Sequence, residues 1–272
     1  MRVLTMNLWG RRGEWERRRQ VLLAGLRTID PDLVAFQEAI NTDEYDQVRD
    51  LLGADFHIVH STRREPGGPG DVEPGQGISI ASRWRLGESW ELDLPQLPQT
   101  AAPVRTTLMV EVGVRDQIGP LLFVNHNPSW QVNAEYERQV QAMTVARAVE
   151  DMVTAHPRHV VLAGDLNADL EAASIRFWTG RQAVGEMSVC YRDAWESRHP
   201  GEPGLTFTPD NPLVADWDWP FQRIDHILVR CGEHGGPTLQ IHDCSLAFNA
   251  PVDGVWASDH FGLVAELDIP QR

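Results

Sequence analysis

The chain predicts an α/β layered sandwich, two β-sheets packed face to face with helices outside. Three features of the sequence carry this expectation. Short apolar, strand-like runs recur along nearly its whole length, and two long segments between them carry a helical apolar stripe. The middle of the chain is a succession of hairpin-like strands with no helix between them, which a simple doubly wound sheet would not contain.

Val3–Leu8 is a near-continuous apolar run, as a strand buried on both faces must be. "EWERRRQVLLAGLRTID" then sets Trp15, Leu22, Leu26 and Ile29 on one helical face, with the arginines expected on the opposite, solvated face. After the Asp30-Pro31 turn comes a strand at Leu33–Phe36, followed by strands at His57–His60, Ile78–Ala81, Leu108–Val114 and Leu121–Val124. "EYERQVQAMTVARAVEDMV" repeats the helical pattern through Tyr136, Val140, Met143, Ala146 and Val153. Strands at Val160–Ala163, Ile224–Val229, Leu239–Ile241 and Phe261–Leu267 complete the order. No Ser/Gly-rich linker divides the chain. The Pro/Gly-rich stretch from Arg64 to Gly77 reads as a surface loop between strands, so one domain, 1–272, is expected.

Composition narrows the chemistry. All 24 basic residues are arginine, which removes every mechanism that needs an amine, such as a Schiff base or a lysine-ended phosphate loop. A net charge of −15 disfavours a tight, nonspecific grip on duplex nucleic acid, which depends on neutralising many phosphates. The first residues already read as a strand rather than a secretory leader, and no apolar run approaches a membrane span. Cys190, Cys231 and Cys244 are odd in number and lack metal-binding spacing. A reduced, cytoplasmic protein is expected, with those cysteines serving as packing residues.

Polar residues interrupt the strand ends repeatedly: Asn7, Glu38, His126, the pair Asp165 and Asn167, Asp225, and the doublet Asp259-His260 before the last strand. Singly, each is most simply a loop beginning. Together they imply a site. In "GDLN", Asp165 and Asn167 project to the same side of an extended chain while Leu166 points away. Glu38 and Asp259 bring further carboxylates, and anions gathered without lysine call for a cation. Hard oxygen donors suit Mg²⁺ or Mn²⁺ rather than zinc. Asp225 can orient His260 through Nδ1, leaving Nε2 for a phosphoryl oxygen or a water. His126 can serve a leaving oxygen or simply cap its strand, and His226, pointing to the opposite face, is read as structural.

"MNLWG", "FQE", "NHN", "GDLN", "RIDHI" and "SDH", in that order and spread over nearly the whole chain, resemble the endonuclease/exonuclease/phosphatase superfamily of deoxyribonuclease I-like phosphoesterases. The resemblance implies a four-layer αββα sandwich, with two mixed sheets and Mg²⁺-dependent phosphoester hydrolysis. It makes Glu38 the principal metal ligand, with Asn7 and Asp259 near the same ion. Asp165 would align or deprotonate the attacking water, and Asn167 would hold a phosphate oxygen. His260, paired with Asp225, would stabilise the phosphoryl charge, and His126 would be the family's second histidine. A tyrosine stands in that region of abasic-site endonucleases, and "FQRIDHI" lacks the cysteine-containing signature of inositol 5-phosphatases.

A phosphodiesterase is therefore expected, acting on a nucleotide, a short nucleic acid or a phospholipid headgroup. A phosphomonoesterase is the alternative, and a noncatalytic binding module a more distant one. Arg11, Arg12, Arg17, Arg18 and Arg19 are either a phosphate-recognising rim or a solvated face. Trp217, Trp219 and Phe221 either stack on substrate or pack their own loop.

Overall fold

The computed structural model describes residues 1–65, 73–98, 105–114, 118–216 and 218–270. One six-stranded sheet contains β1 (Arg2–Asn7), β2 (Leu33–Ile40), β3 (His57–His60), β4 (Gln76–Ser82), β11 (Gln240–Ala247) and β12 (Gly262–Asp268), in the order β11-β12-β1-β2-β4-β3. The other contains β5 (Leu86–Asp93), β6 (Thr106–Val112), β7 (Leu121–His126), β8 (His159–Asp165), β9 (Tyr191–Asp193) and β10 (Asp225–Arg230), in the order β5-β6-β7-β8-β10-β9. Each sheet is antiparallel apart from one central parallel pair, and in each case a long helix makes the crossover. Helix α1 (Trp15–Ile29) joins β1 to β2, and α3 (Glu135–Ala155) joins β7 to β8. Three short helices, α2 (Gln47–Leu52), α4 (Ala173–Trp178) and α5 (Ala194–Arg198), complete the described elements.

Alternation along the strands builds three apolar layers. Val3, Ala35, Val110, Phe123, Val161, Ile227 and Leu263 meet between the sheets. Their neighbours in sequence face outward, Leu4, Met6 and Phe36 onto α1 and Leu122, Val124 and Leu162 onto α3 and α4. The result is the expected four-layer αββα sandwich.

Several local expectations change. β5, "LGESWELD", is an edge strand whose charged, largely exposed residues hide it from an apolar-run search. On α3 the buried face is Ala142, Val145, Ala146 and Val149, while Tyr136 is exposed. The first turns of α3 instead bury Glu137, Arg138 and Gln141 against the loop after β7: the Ser129 N–H donates to Gln141 Oε1 (3.0 Å), and Arg138 donates to the Ser129 and Gln131 carbonyls (3.0 and 2.7 Å).

The arginine run at the start of α1 divides: Arg11 and Arg17 are exposed, as a solvated face predicts, whereas Arg18 is not. Arg18 is fully buried, donating to the carbonyls of Ala257, Arg12 and Leu8 and lying over the Trp9 ring. Arg12 pairs with Glu38, Arg17 with Glu14 and Arg19 with Asp50. The strip that reads as a charge cluster is thus largely committed to internal partners. Among the described residues no helix is long and apolar enough to cross a membrane.

Candidate active site

The site lies where strand ends of both sheets converge. Strand parity explains most of it. Asn7 shares the inner face of β1 with Val3, Asp165 that of β8 with Val161 and Ala163, and Asp225 that of β10 with Ile227 and Val229. β8 and β10 are antiparallel with Asp165 directly opposite Asp225, so pairing alone sets two carboxyls side by side. A further constraint is Gly164: a Cβ there would stand 2.0 Å from the His126 carbonyl oxygen, so β7 and β8 can approach only with glycine before the aspartate.

Asp165, Asp225 and His260 are all buried and offer ligand atoms within 4.8 Å of one another. His260 Nδ1 lies 3.0 Å from Asp225 Oδ2. The other oxygen of Asp225 is buried without a hydrogen-bond partner among the described residues. Phe207 stands edge-on to the His260 ring at 5.2 Å, and the Thr206 hydroxyl accepts from the Asp225 N–H at 3.2 Å. Asp165 accepts from Asn7 Nδ2 (3.1 Å) on one oxygen and from the Asn167 N–H (3.1 Å) on the other. Asn167 leaves the strand in a left-handed conformation (φ 52°), so a turn rather than an extended chain brings it beside Asp165, while Leu166 points into the outer core as expected. Its Nδ2 contacts Asn127 Oδ1 and the Pro128 carbonyl, each at 3.3 Å.

Glu38 is not at a strand end. It sits inside β2 at a bulge with φ 55°, where the register against β4 skips between Phe36 and Ala39. Simple alternation would send Glu38 outward with Val34 and Phe36; the bulge redirects it. Its Oε2 accepts from Arg12 at 2.8 Å, and Arg12 also reaches Gln76 Oε1 at 3.2 Å. Ser258 ties the last loop to the first strand, donating to the Asn7 carbonyl at 2.8 Å and contacting Asp259 Oδ1 at 3.1 Å.

Burial and crowding set the charges. Burial, reinforced by Asp225 and opposed by His260, pushes the Asp165 carboxyl up to about 7. Burial and the nearby Glu38 raise Asp259 to about 6, against the opposing pull of His260. For His260 burial opposes the charge, but Asp225, Asp165 and Asp259 outweigh it and hold the imidazolium well above its ordinary range. His126 is different. Its Nδ1 lies 2.7 Å from the Thr107 hydroxyl, its ring meets Trp178 edge-on, and burial alone lowers it to about 3. Among the described residues no hydrogen bond or ring contact joins that ring to Asp165, Asp225 or His260, and it stands neutral on the helix-facing side of β7.

Glu38 lies near enough to raise the Asp259 carboxyl, and these two with the Asn7 side-chain oxygen, which accepts from the Trp9 N–H at 3.0 Å, are the hard-oxygen donors that a divalent cation here would take. Two features fit a cation at this site: the buried Asp165 and Asp259 carboxyls resist ionisation, and one oxygen of Asp225 has no partner among the described residues.

Residues that carry no obvious sequence signal support the site. Gln37 Nε2 donates to Asn125 Oδ1 (2.8 Å), and Asn125 Nδ2 donates to the Phe36 and Ser79 carbonyls (2.9 Å each), fastening the sheets together beneath the cleft. His226 faces the other way, as expected, with Nδ1 2.7 Å from Asp193 Oδ2 and Nε2 2.9 Å from the Ala168 carbonyl. Phe221 stacks on Phe207 at 6.1 Å and Trp219 on Trp130 at 5.7 Å, whereas Trp217 lies outside the described residues.

Fold and site together define a hydrolase of phosphoester bonds built on two packed sheets. The chain belongs to the endonuclease/exonuclease/phosphatase family, whose family model matches residues 4–260. Members of that family are phosphoester hydrolases that generally depend on a divalent metal. No curated protein sequence matches the chain. Among solved structures it is similar to Caenorhabditis elegans TDP2 (16% identity, TM-score 0.75, covering 98% of this chain and 74% of that one). It is also similar to D. rerio TDP2 complexed with single strand DNA product (22% identity, TM-score 0.71, 97% of each chain). A third is the human Nocturnin catalytic domain with bound sulfate anion (17% identity, TM-score 0.71, 99% of this chain and 94% of that one). These likenesses establish the shared fold.

Proposed function

We propose that the protein is a Mg²⁺- or Mn²⁺-dependent phosphodiesterase acting on a nucleotide or a short nucleic-acid strand. The observation that carries the reading is the buried Asp165–Asp225–His260 cluster, with its 3.0 Å His260–Asp225 contact. The single-strand DNA product bound by the D. rerio relative supports the nucleotide class.

In this reading Asp165, fixed through both oxygens by Asn7 and the Asn167 backbone, accepts a proton from water at near-neutral pH as the water oxygen bonds to phosphorus. His260 keeps Nδ1 on Asp225 and presents a cationic Nε2–H to the phosphoryl oxygens, where negative charge gathers as the ester bond breaks. Asn167 turns its amide from the long Asn127 and Pro128 contacts to a phosphate oxygen. His126 acts, if on substrate, as a neutral hydrogen-bonding group. Glu38, Asn7 and Asp259 would hold the metal, which when bound draws charge from the phosphoryl group and offsets the clustered carboxylates.

The test is a hydrolysis panel of bis(p-nitrophenyl) phosphate, p-nitrophenyl phosphate, single- and double-stranded DNA, RNA, sphingomyelin and phosphorylated inositols, each with Mg²⁺, Mn²⁺ or excess chelator. Metal-dependent turnover of nucleotide diesters is expected. Full activity in chelator would overturn the metal reading. Turnover of monoesters alone would establish the phosphomonoesterase alternative, and of sphingomyelin alone a lipid substrate.

A further inference from the structure

A cavity of about 220 Å³ adjoins the site at Glu38 and Asn127, and its other walls include Arg63, Arg64, Glu65 and Arg105. It shares Glu38 with the metal-binding set, and its Asn127 is the residue that touches Asn167. The arginines come from separate segments, Arg63 and Arg64 from the turn after β3 and Arg105 from the entry to β6.

Their partners are unequal. Arg63 is already neutralised, with Nε and Nη2 on Asp93 at 3.0 and 2.5 Å, and its backbone N–H is held by Glu91 at 3.0 Å. Arg64 is half-buried and, among the described residues, donates only to the Gly75 carbonyl, at 3.1 Å. Among the described residues neither Arg64 nor Arg105 has a carboxylate within ion-pair distance, and the Arg105 Nε is buried with no hydrogen-bond partner. Folded proteins rarely leave a buried donor of a charged group unsatisfied, because the lost solvation is not returned. Of the acids in the cavity, Glu38 is bound by Arg12, and Glu65, raised by burial above its ordinary range and partly drawn back by Arg105, makes no ion pair among the described residues. Two arginines lining one half-open cavity next to Glu38 and Asn127 offer the bidentate, charge-assisted donors that a phosphate accepts.

We infer that this cavity is a second phosphate subsite, holding a phosphate of the substrate other than the one being cleaved. The preferred substrate therefore carries at least two phosphates. The subsite itself stands on the cavity; its assignment to the substrate rests on the phosphodiesterase reading.

Two measurements separate these levels. In chelator the clustered carboxylates repel anions, so inorganic pyrophosphate measured by calorimetry reports the arginine cavity. The wild type should bind it, and Arg64→Gln and Arg105→Gln, checked for unaltered melting, should each weaken binding roughly tenfold or more, the worth of one charge-assisted contact. No binding by the wild type, or unchanged binding in both variants, overturns the subsite. With Mg²⁺ present, p-nitrophenyl phosphodiesters of thymidine are compared with and without a second phosphate, on either the 3′ or the 5′ side. A lower KM for one doubly phosphorylated isomer, lost in the variants, confirms that the second phosphate belongs to the substrate. Equal KM values overturn that claim. Absence of all hydrolysis, with pyrophosphate binding intact, overturns the phosphodiesterase reading and with it the substrate assignment, while the anion site stands.

Discussion

Burial sets the charge state of Asp165 and neighbouring carboxyls that of His260, and neither side chain is a packing residue of the apolar layers, which makes their roles separable from folding. Asp165→Asn removes the proton acceptor while keeping the side chain's shape and one of its two accepting oxygens, so one of the contacts from Asn7 Nδ2 and the Asn167 N–H is given up, and His260→Ala removes the cationic donor. Each is expected to lower kcat by about two to four orders of magnitude with little change in unfolding midpoint, measured on the same preparations. Asp225 acts through His260. With burial opposing the imidazolium and Asp225 foremost among the groups sustaining it, Asp225→Asn should bring the His260 pKa down. Activity that requires protonated His260 is lost as pH rises through that pKa. The alkaline limb of the kcat profile should therefore move to lower pH in the variant, and an unmoved limb would refute the pairing.

At the scale of elements, the buried group that holds the start of β10 is Asp193 at the end of β9. Its Oδ2 accepts from Arg223 at 2.8 Å and contacts His226 at 2.7 Å, while His226 in turn meets the Ala168 carbonyl just after the "GDLN" turn. Burial disfavours the Asp193 carboxylate, but His226 and Arg223 outweigh it and keep the group below the ordinary carboxylate range. A depressed carboxyl contributes stability above its unfolded pKa of about 4, and this is lost as pH falls through the lower folded value. Asp193→Asn should cost about 3–5 kcal/mol near neutrality, the scale of a broken buried ion pair. The difference from wild type, followed by denaturant unfolding, should shrink as pH drops below about 4. A constant difference across that range would place the stabilisation elsewhere.

Across the whole molecule, the carboxyls of the site work in the opposite sense. Asp165 and Asp259 are held up at about 7 and about 6, so in the metal-free protein folding favours their neutral forms. Their unfolded counterparts ionise near pH 4, so the fold loses stability as pH climbs from there through the folded values. Above both values the carboxylates are ionised and repel, and a divalent cation has most to offset. Mg²⁺ should accordingly raise Tm more at pH 8 than at pH 5, as read by thermal melts at matched ionic strength; equal shifts would contradict the proposed donor set. The charge of the whole chain shapes the substrate as well. With a net charge of −15 and Arg12, Arg17 and Arg19 paired to carboxylates, the sequence's densest basic run has little charge left to neutralise duplex phosphates. At physiological salt, kcat/KM for duplex DNA should fall below that for small nucleotide diesters.

What the sequence determined by itself is what period and order can encode. Alternation with Val161 and Ile227 aims Asp165 and Asp225 inward, and the same rule turns His226 away. Two helical stripes between parallel strands fix the crossovers, and the helix-free run of strands separates two sheets from one. Local pattern fails where a contact distant in sequence overrides it. Glu38 reaches the site only because a bulge breaks the alternation of β2, and nothing in "FQE" encodes the skip against β4. Arg18 reads as surface charge until the carbonyls of Leu8, Arg12 and Ala257 converge on it. β5 is a strand because β6 offers it a ladder, although its own residues are mostly charged or exposed. Arg64 and Arg105, forty-one positions apart in the sequence, come to line one cavity only because strands of the two sheets lie opposite one another. Periodicity is a property of neighbours along the chain, whereas bulges, buried charges and cavities depend on which strands come to lie opposite one another, and that the tertiary structure decides.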